Sequence, residues 1–277
     1  MPKINYGLIV SDFDGTLVRH DGTISEENKN AIARYVADGG AFAISTGRLH
    51  YGILDRAREL GLKGLVACCQ GAIIVDIESG QLVENNMMPY ETTLAICEKM
   101  EALGLHYHLY DFENYYSNKD DEALHFYENA VRKKAILITD QPLSKYVQEK
   151  KMGTYKVLAM VDPKDNEKFY QEIDRTPFAD CITTKSAEYL IEVVNANYSK
   201  GTAVEFLANY YGVPLKKTIG VGDQWNDLPM IERAGLGIAV QNADQKLKEK
   251  AVVCEFTNEE NAIARIIENY GYTEEEI

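Results

Sequence analysis

The sequence predicts an α/β fold: a mainly parallel sheet core, formed by both ends of the chain and interrupted by an inserted α+β domain. Three observations carry this. Apolar runs of strand length alternate with helix-period segments at both ends. Two of those runs stop at acidic motifs, Asp12-Phe13-Asp14-Gly15 and Gly222-Asp223-Gln224-Trp225-Asn226-Asp227, at the strand edge where open α/β sheets place their ligands. Between about residues 81 and 189 the rhythm gives way to a stretch rich in Tyr and His, with Tyr107, Tyr110, Tyr115, Tyr116, Tyr127, His106, His108 and His125.

Taken in order, residues 6–10 form the first apolar strand, which ends at Ser11-Asp12. Ser25-Glu26-Glu27 opens a helix with an N-cap and first-turn acids, and Gly39-Gly40 closes it. Residues 41–44 are the second strand, ending at Ser45-Thr46-Gly47-Arg48. A helix over about 51–60, stopped by Gly61, leads to a third strand at 65–69. In the insert, helices at 91–103 and 163–173 alternate with strands such as 155–161. The core rhythm then resumes: strand 189–194, helix 200–211, strand 218–221, a helix after Trp225, strand 236–240 and a last helix near 259–269. Residues 1–80 and 190–277 are therefore assigned to the core and 81–189 to the insert.

The chain has 277 residues, 45% hydrophobic, with a formal net charge of −14. The length admits one large domain or two smaller ones, and the apolar content excludes intrinsic disorder. So acidic a chain repels nucleic acid and anionic membrane over most of its surface, and any anionic ligand has to meet a local positive charge. Cys68, Cys69, Cys97, Cys181 and Cys254 are an odd set without a C-x-x-C pair, which suits a reducing compartment. The first ten residues carry one Lys and a short apolar run, so no secretory signal is expected. No run approaches the roughly 18 apolar residues of a membrane span. A cytoplasmic protein is the expectation.

The two acidic motifs bring up to four carboxylates, Asp12, Asp14, Asp223 and Asp227, to one sheet edge. Each motif alone could be a turn and a helix cap. Together they pose an electrostatic problem, since like charges about 4 Å apart repel by about 4 kcal/mol at an effective dielectric of about 20. A cation is required, and oxygen-only donors point to Mg²⁺. Thr46 supplies a hydroxyl, followed by Gly47, whose backbone can approach an anion closely. Lys200, at a strand-to-helix junction, suits both a phosphate ligand and a counter-charge for the aspartates.

The ordered set D-F-D-G-T-L (12–17), S-T-G-R (45–48), Ser199-Lys200-Gly201 and G-D-Q-W-N-D (222–227) resembles the haloacid dehalogenase-like hydrolase superfamily. Within it, the set is most similar to the Cof-type phosphatase branch, whose C2-type cap lies between the second and third motifs. The resemblance covers about 1–80 and 190–277 and is weaker through the insert. It implies a Rossmann-like core and a Mg²⁺-dependent phosphatase for small phosphorylated metabolites, sugar phosphates foremost, with the insert as a lid. Asp12 would be the nucleophile and Asp14 the general acid, then base. Mg²⁺ would be held by the Asp12 carboxylate, the Asp14 backbone carbonyl and Asp223, with Asp227 a further acidic ligand, direct or through water. Thr46, Gly47 and Lys200 would hold the phosphoryl oxygens, with Asn226 nearby.

One departure stands out. Cof-type chains usually carry Asn-Gly-Ala after the third strand, and this chain has Gln70-Gly71-Ala72. Two alternatives remain open: a phosphomutase of the same superfamily, and a phospho-acceptor signalling module. Asp14 speaks against the second, because a module that keeps its phosphate has no use for a positioned acid/base. His106 and His108 alternate on one strand face, but two histidines without a third ligand read as ordinary surface or packing residues. His50, Gln70 and the insert's tyrosines are candidates for substrate contact.

Overall fold

The computed structural model describes residues 3–273 and divides the chain into two compact units. One contains the segments up to Glu84 and from Ser199 onward, and the other is Asn85–Tyr198. The acidic tail at Glu274, Glu275 and Glu276 lies outside the described residues, as do Met1 and Pro2.

In chain order the first segment comprises β1 (Leu8–Ser11), α1 (Glu26–Ala37), β2 (Ala41–Ile44), α2 (Leu54–Glu59), β3 (Leu65–Cys68), β4 (Ile73–Asp76) and β5 (Leu82–Asn85). The insert comprises α3 (Tyr90–Ala102), β6 (His106–Tyr110), β7 (Tyr115–Ser117), α4 (Glu122–Val131), β8 (Ile136–Leu137), α5 (Leu143–Lys150), β9 (Lys156–Met160), α6 (Asn166–Asp174), β10 (Cys181–Ala187) and β11 (Leu190–Asn195). The return consists of α7 (Lys200–Tyr210), β12 (Thr218–Gly222), α8 (Leu228–Arg233), β13 (Leu236–Ala239), α9 (Gln245–Lys248), β14 (Val252–Val253) and α10 (Ala262–Ile266).

Among the described residues the core sheet has the order β14-β13-β12-β1-β2, with parallel pairing throughout. Leu8, Ile9, Val10, Ile219 and Val221 are fully buried. That is why these strands read as unbroken apolar runs rather than alternating ones. Ser25 caps α1 as expected, its Oγ accepting from the Asn28 amide at 3.1 Å. β3 meets the end of β2 through a parallel bridge at Ser45 and Ala67, then turns back on β4 in an antiparallel hairpin.

The insert's sheet runs β10-β11-β9-β6-β7-β8. Residues 190–195 belong to it, which corrects the assignment of this run to the returning core. β11 pairs antiparallel with both β9 and β10, and its one charged side chain, Glu192, is buried in an ion pair with Lys156 of β9 at 2.8 Å. Buried charges need such a partner, and this one lies within the insert. One face of the sheet, with Tyr107, Leu109, Val157, Ala159, Ile191 and Val193, forms the apolar core with residues of α3 and α5. The opposite face holds His106 and His108, both buried, with their Nε2 atoms 3.0 Å apart. His106 Nε2 also meets Ser117 Oγ at 3.0 Å, and Asp121 Oδ2 lies 3.0 Å from its Nδ1. Burial lowers the pKa of both rings. Among the described residues no helix is long and apolar enough to cross a membrane.

Candidate active site

Parallel pairing of β1 with β12 puts Ser11 opposite Val221, and the Asp12 amide donates to the Val221 carbonyl at 2.8 Å. Asp12 and Asp223 therefore leave their strands at the same sheet edge. Lys200 arrives from the first residue of α7, whose start is secured by a capping box between Ser199 and Thr202. Its Nζ donates to Asp12 Oδ1, and to Asp227 Oδ1 at 2.5 Å. Asp12, Asp223 and Asp227 each present a carboxylate oxygen within 4.8 Å of the others. Asp227 Oδ2 in turn accepts from the amides of Asp223 and Gln224, at 2.9 and 3.0 Å. Thr16 Oγ1 donates to Asp223 Oδ1 at 2.8 Å.

Gly15 is what lets the first motif close on the second. Its φ is +78°, and an added Cβ would lie 2.5 Å from Asp223 Oδ2. Both backbone and space exclude a side chain. Gly15→Ala is expected to destabilise the protein by about 1–3 kcal/mol and to displace Asp223. Thermal unfolding and turnover of the variant check this, and wild-type values in both would contradict it.

The cluster is short of positive charge. Burial, opposed by Lys200 and reinforced by the charges of Asp227, Asp223 and Asp14, raises Asp12 well above the usual carboxylate range. Burial and the neighbouring Asp227 push Asp223 up to about 6. For Lys200, burial alone would lower the pKa, but the Asp12 and Asp227 carboxylates outweigh it and hold the ammonium above its ordinary value. Three buried carboxylates face one ammonium, and their oxygen-only donor set fits a hard divalent cation.

Asp14 does not join this cluster, so three carboxylates converge rather than four. Its side chain is half-exposed, and both oxygens are taken by Arg48, from Nε and Nη2 at 2.6 Å each. Asp14 lies beyond the extended strand, which ends at Ser11. Arg48, whose guanidinium carbon stands 5.4 Å from the Phe13 ring centroid, is a site residue to which the motifs assign no role. The signal available was a cation within an acidic edge.

The remaining candidates line adjoining segments. Thr46 is buried, its Oγ1 accepting from the Arg48 amide at 3.1 Å. Gly47 lies against Gln70, whose Nε2 stands 2.7 Å from where a Gly47 Cβ would be. Asn226 Nδ2 donates to Gln70 Oε1 at 3.2 Å. His50 sits on a short 3₁₀ turn beside Tyr51, with ring centroids 5.6 Å apart. In the insert Tyr110 stacks on Tyr115 at 5.6 Å, and its hydroxyl donates to that of Tyr127 at 2.7 Å. Tyr107 is fully buried and Tyr116 nearly so.

Residues 9–267 match a family model described as haloacid dehalogenase-like hydrolase. Phosphatase YwpJ of Bacillus subtilis (strain 168) is 29% identical over 95% of this chain and 99% of its own length. A second protein of that strain, 5-amino-6-(5-phospho-D-ribitylamino)uracil phosphatase YwtE, is 29% identical over 94% of this chain and 96% of its own. Among solved structures, a haloacid dehalogenase-like hydrolase from B. subtilis covers 95% of this chain and 99% of that chain, with a TM-score of 0.84 and 26% identity.

Proposed function

On the premise that the chain belongs to the haloacid dehalogenase-like hydrolase family and is a phosphatase, we propose that it hydrolyses small phosphorylated metabolites, sugar phosphates foremost, through a phosphoenzyme on Asp12, with Mg²⁺ as its metal. The observation that carries this reading is the burial of Asp12 between Lys200 and two further carboxylates at one sheet edge. The phosphatase relative whose name places the phosphate on a ribityl chain points to the same substrate chemistry, a phosphate ester of a polyol.

Lys200 holds Asp12 through Oδ1, so attack is assigned to Oδ2. A bond forms from this oxygen to phosphorus as the bond to the leaving alcohol breaks, and protonated Asp14 gives its proton to the departing oxygen. Asp14 then takes a proton from water, whose oxygen attacks phosphorus, releasing inorganic phosphate and restoring the Asp12 carboxylate. Both halves require Asp14 to give up at least one of its two bonds to Arg48. The Thr46 hydroxyl, the Gly47 backbone, Lys200 and Asn226 receive the phosphoryl oxygens. Asp12, the Asp14 carbonyl and Asp223 would hold Mg²⁺, which when bound would supply positive charge to the phosphoryl group and to the nucleophile's surroundings. Asp227 serves this arrangement chiefly by fixing Lys200 and the Asp223 amide.

Removing divalent cations exhaustively with EDTA should reduce phosphate release to background, and Mg²⁺ should restore it. Undiminished activity would remove the metal from the account. Release of inorganic phosphate without a bisphosphate activator separates hydrolysis from mutase chemistry. The pH dependence follows from Asp223, whose folded-state pKa rises from 3.8 to about 6. Its contribution to the stability of the metal-free protein is complete below the unfolded value and is lost as pH rises through about 6. A divalent cation competes with that proton, so the increase in Tm on adding Mg²⁺ should grow between about pH 5 and pH 7.5. An increase independent of pH would contradict the assignment of Asp223 as a ligand.

A further inference from the structure

The geometry assigns Gln70 as a positioning residue for the phosphate-binding segments: its side-chain amide seats on Gly47 and orients Asn226. This rests on reading the site as phosphoryl-binding. Cys69 and Gln70 both adopt left-handed backbone conformations, with φ of 47° and 59°, and Gly71 follows at 95°. Two successive non-glycine residues in that region are strained, and such strain persists only where surrounding contacts determine it.

Those contacts lead to the site. The Cys69 amide donates to the Arg48 carbonyl at 2.9 Å and the Gln70 amide to the Thr46 carbonyl at 3.1 Å, so the turn spends both donors on the S-T-G-R segment. Gly71 lies so close to α7 that an added Cβ would stand 2.4 Å from the Ser199 carbonyl oxygen, one residue before Lys200. The Gln70 side chain, only 4% exposed, completes the arrangement. Its Nε2 would be 2.7 Å from a Gly47 Cβ, and its Oε1 takes a hydrogen bond from Asn226 Nδ2 at 3.2 Å. Among the described residues Asn226 Oδ1 is buried and has no hydrogen-bond partner, an acceptor that a ligand hydroxyl or a bound water can satisfy. One turn thus ties together the segments bearing Thr46, Lys200 and Asn226, and the Gln70 side chain spans the distance to Asn226. This gives a physical reason for glutamine where the resembling chains carry the shorter asparagine.

The test uses the full-length protein and the variants Gln70→Gly, Gln70→Asn, Asn226→Ala and Gln70→Gly/Asn226→Ala. Steady-state hydrolysis of p-nitrophenyl phosphate, binding of inorganic phosphate by calorimetry, and Tm are measured for each. Gln70→Gly removes the amide while relieving the left-handed backbone, so its Tm should equal or exceed that of the wild type. Its kcat/KM should fall by about ten- to a hundredfold, mainly through KM, with a parallel loss of phosphate affinity. Gln70→Asn should lose activity in the same way, and the double variant should lose much less than the product of the single losses. Wild-type kcat/KM and phosphate affinity in Gln70→Gly, multiplicative losses in the double variant, or losses matched by falling Tm in both position-70 variants would each overturn the inference. A wild-type protein that neither hydrolyses the ester nor binds phosphate would instead overturn the phosphatase reading itself.

Discussion

Asp12→Asn should abolish turnover, lowering kcat by at least about 10⁴-fold, with Tm at or near that of the wild type. The two expectations have one cause. Asp12 is buried, and its charge is disfavoured by desolvation and by its acidic neighbours, so that its pKa stands well above the usual range. Asparagine keeps the shape and an acceptor for the Lys200 ammonium, and it removes a charge that burial and the acidic neighbours disfavour. What it cannot do is form the covalent bond to phosphorus. Retained turnover would sink the nucleophile assignment, and a large fall in Tm would sink the electrostatic account of the cluster.

Lys200→Met is the second large effect. The lysine is fully buried and bonded to Asp12 and Asp227. Removing one partner of a buried charged network leaves the others uncompensated, which typically costs about 3–5 kcal/mol. Denaturant unfolding of the metal-free variant should show a loss of that order, with part of it recovered on adding Mg²⁺ because the metal supplies replacement charge. Turnover should fall by about 10²- to 10³-fold even with the metal present, since the phosphoryl oxygens lose a cation. Stability unchanged from the wild type would mean that the three carboxylates do not depend on Lys200. Arginine is no conservative substitute, because a planar fork does not fit where a compact ammonium meets two single oxygens.

Much of this was legible in the sequence where one residue type admits one physical explanation. β1 and β12 are buried on both faces, so they appear as unbroken apolar runs, and the acids that end them mark the sheet edge. Ser25 before two acids marks the start of α1 because few residues can accept from the first free amides of a helix. Other features depend on partners that no local pattern names. Residues 190–195 read as an apolar strand run much like those of the core, and only the pairing with β9 and β10, with Glu192 on Lys156, shows which sheet they join. In the β3–β4 hairpin Gly71 is the one turn signal, and the left-handed Cys69 and Gln70 before it adopt a conformation usually left to Gly or Asn. Asp14 stands apart from the other three carboxylates, because Arg48, 34 residues away, takes both of its oxygens.

The central claim is a covalent phosphoryl group on Asp12, and acid quenching during turnover tests it most directly. With a ³²P-labelled ester substrate, label should appear on the peptide containing Asp12, build up within a single turnover, disappear on chase with unlabelled substrate, and be absent from Asp12→Asn. Turnover by the wild type with no label at Asp12, or with label on another peptide, would contradict the account.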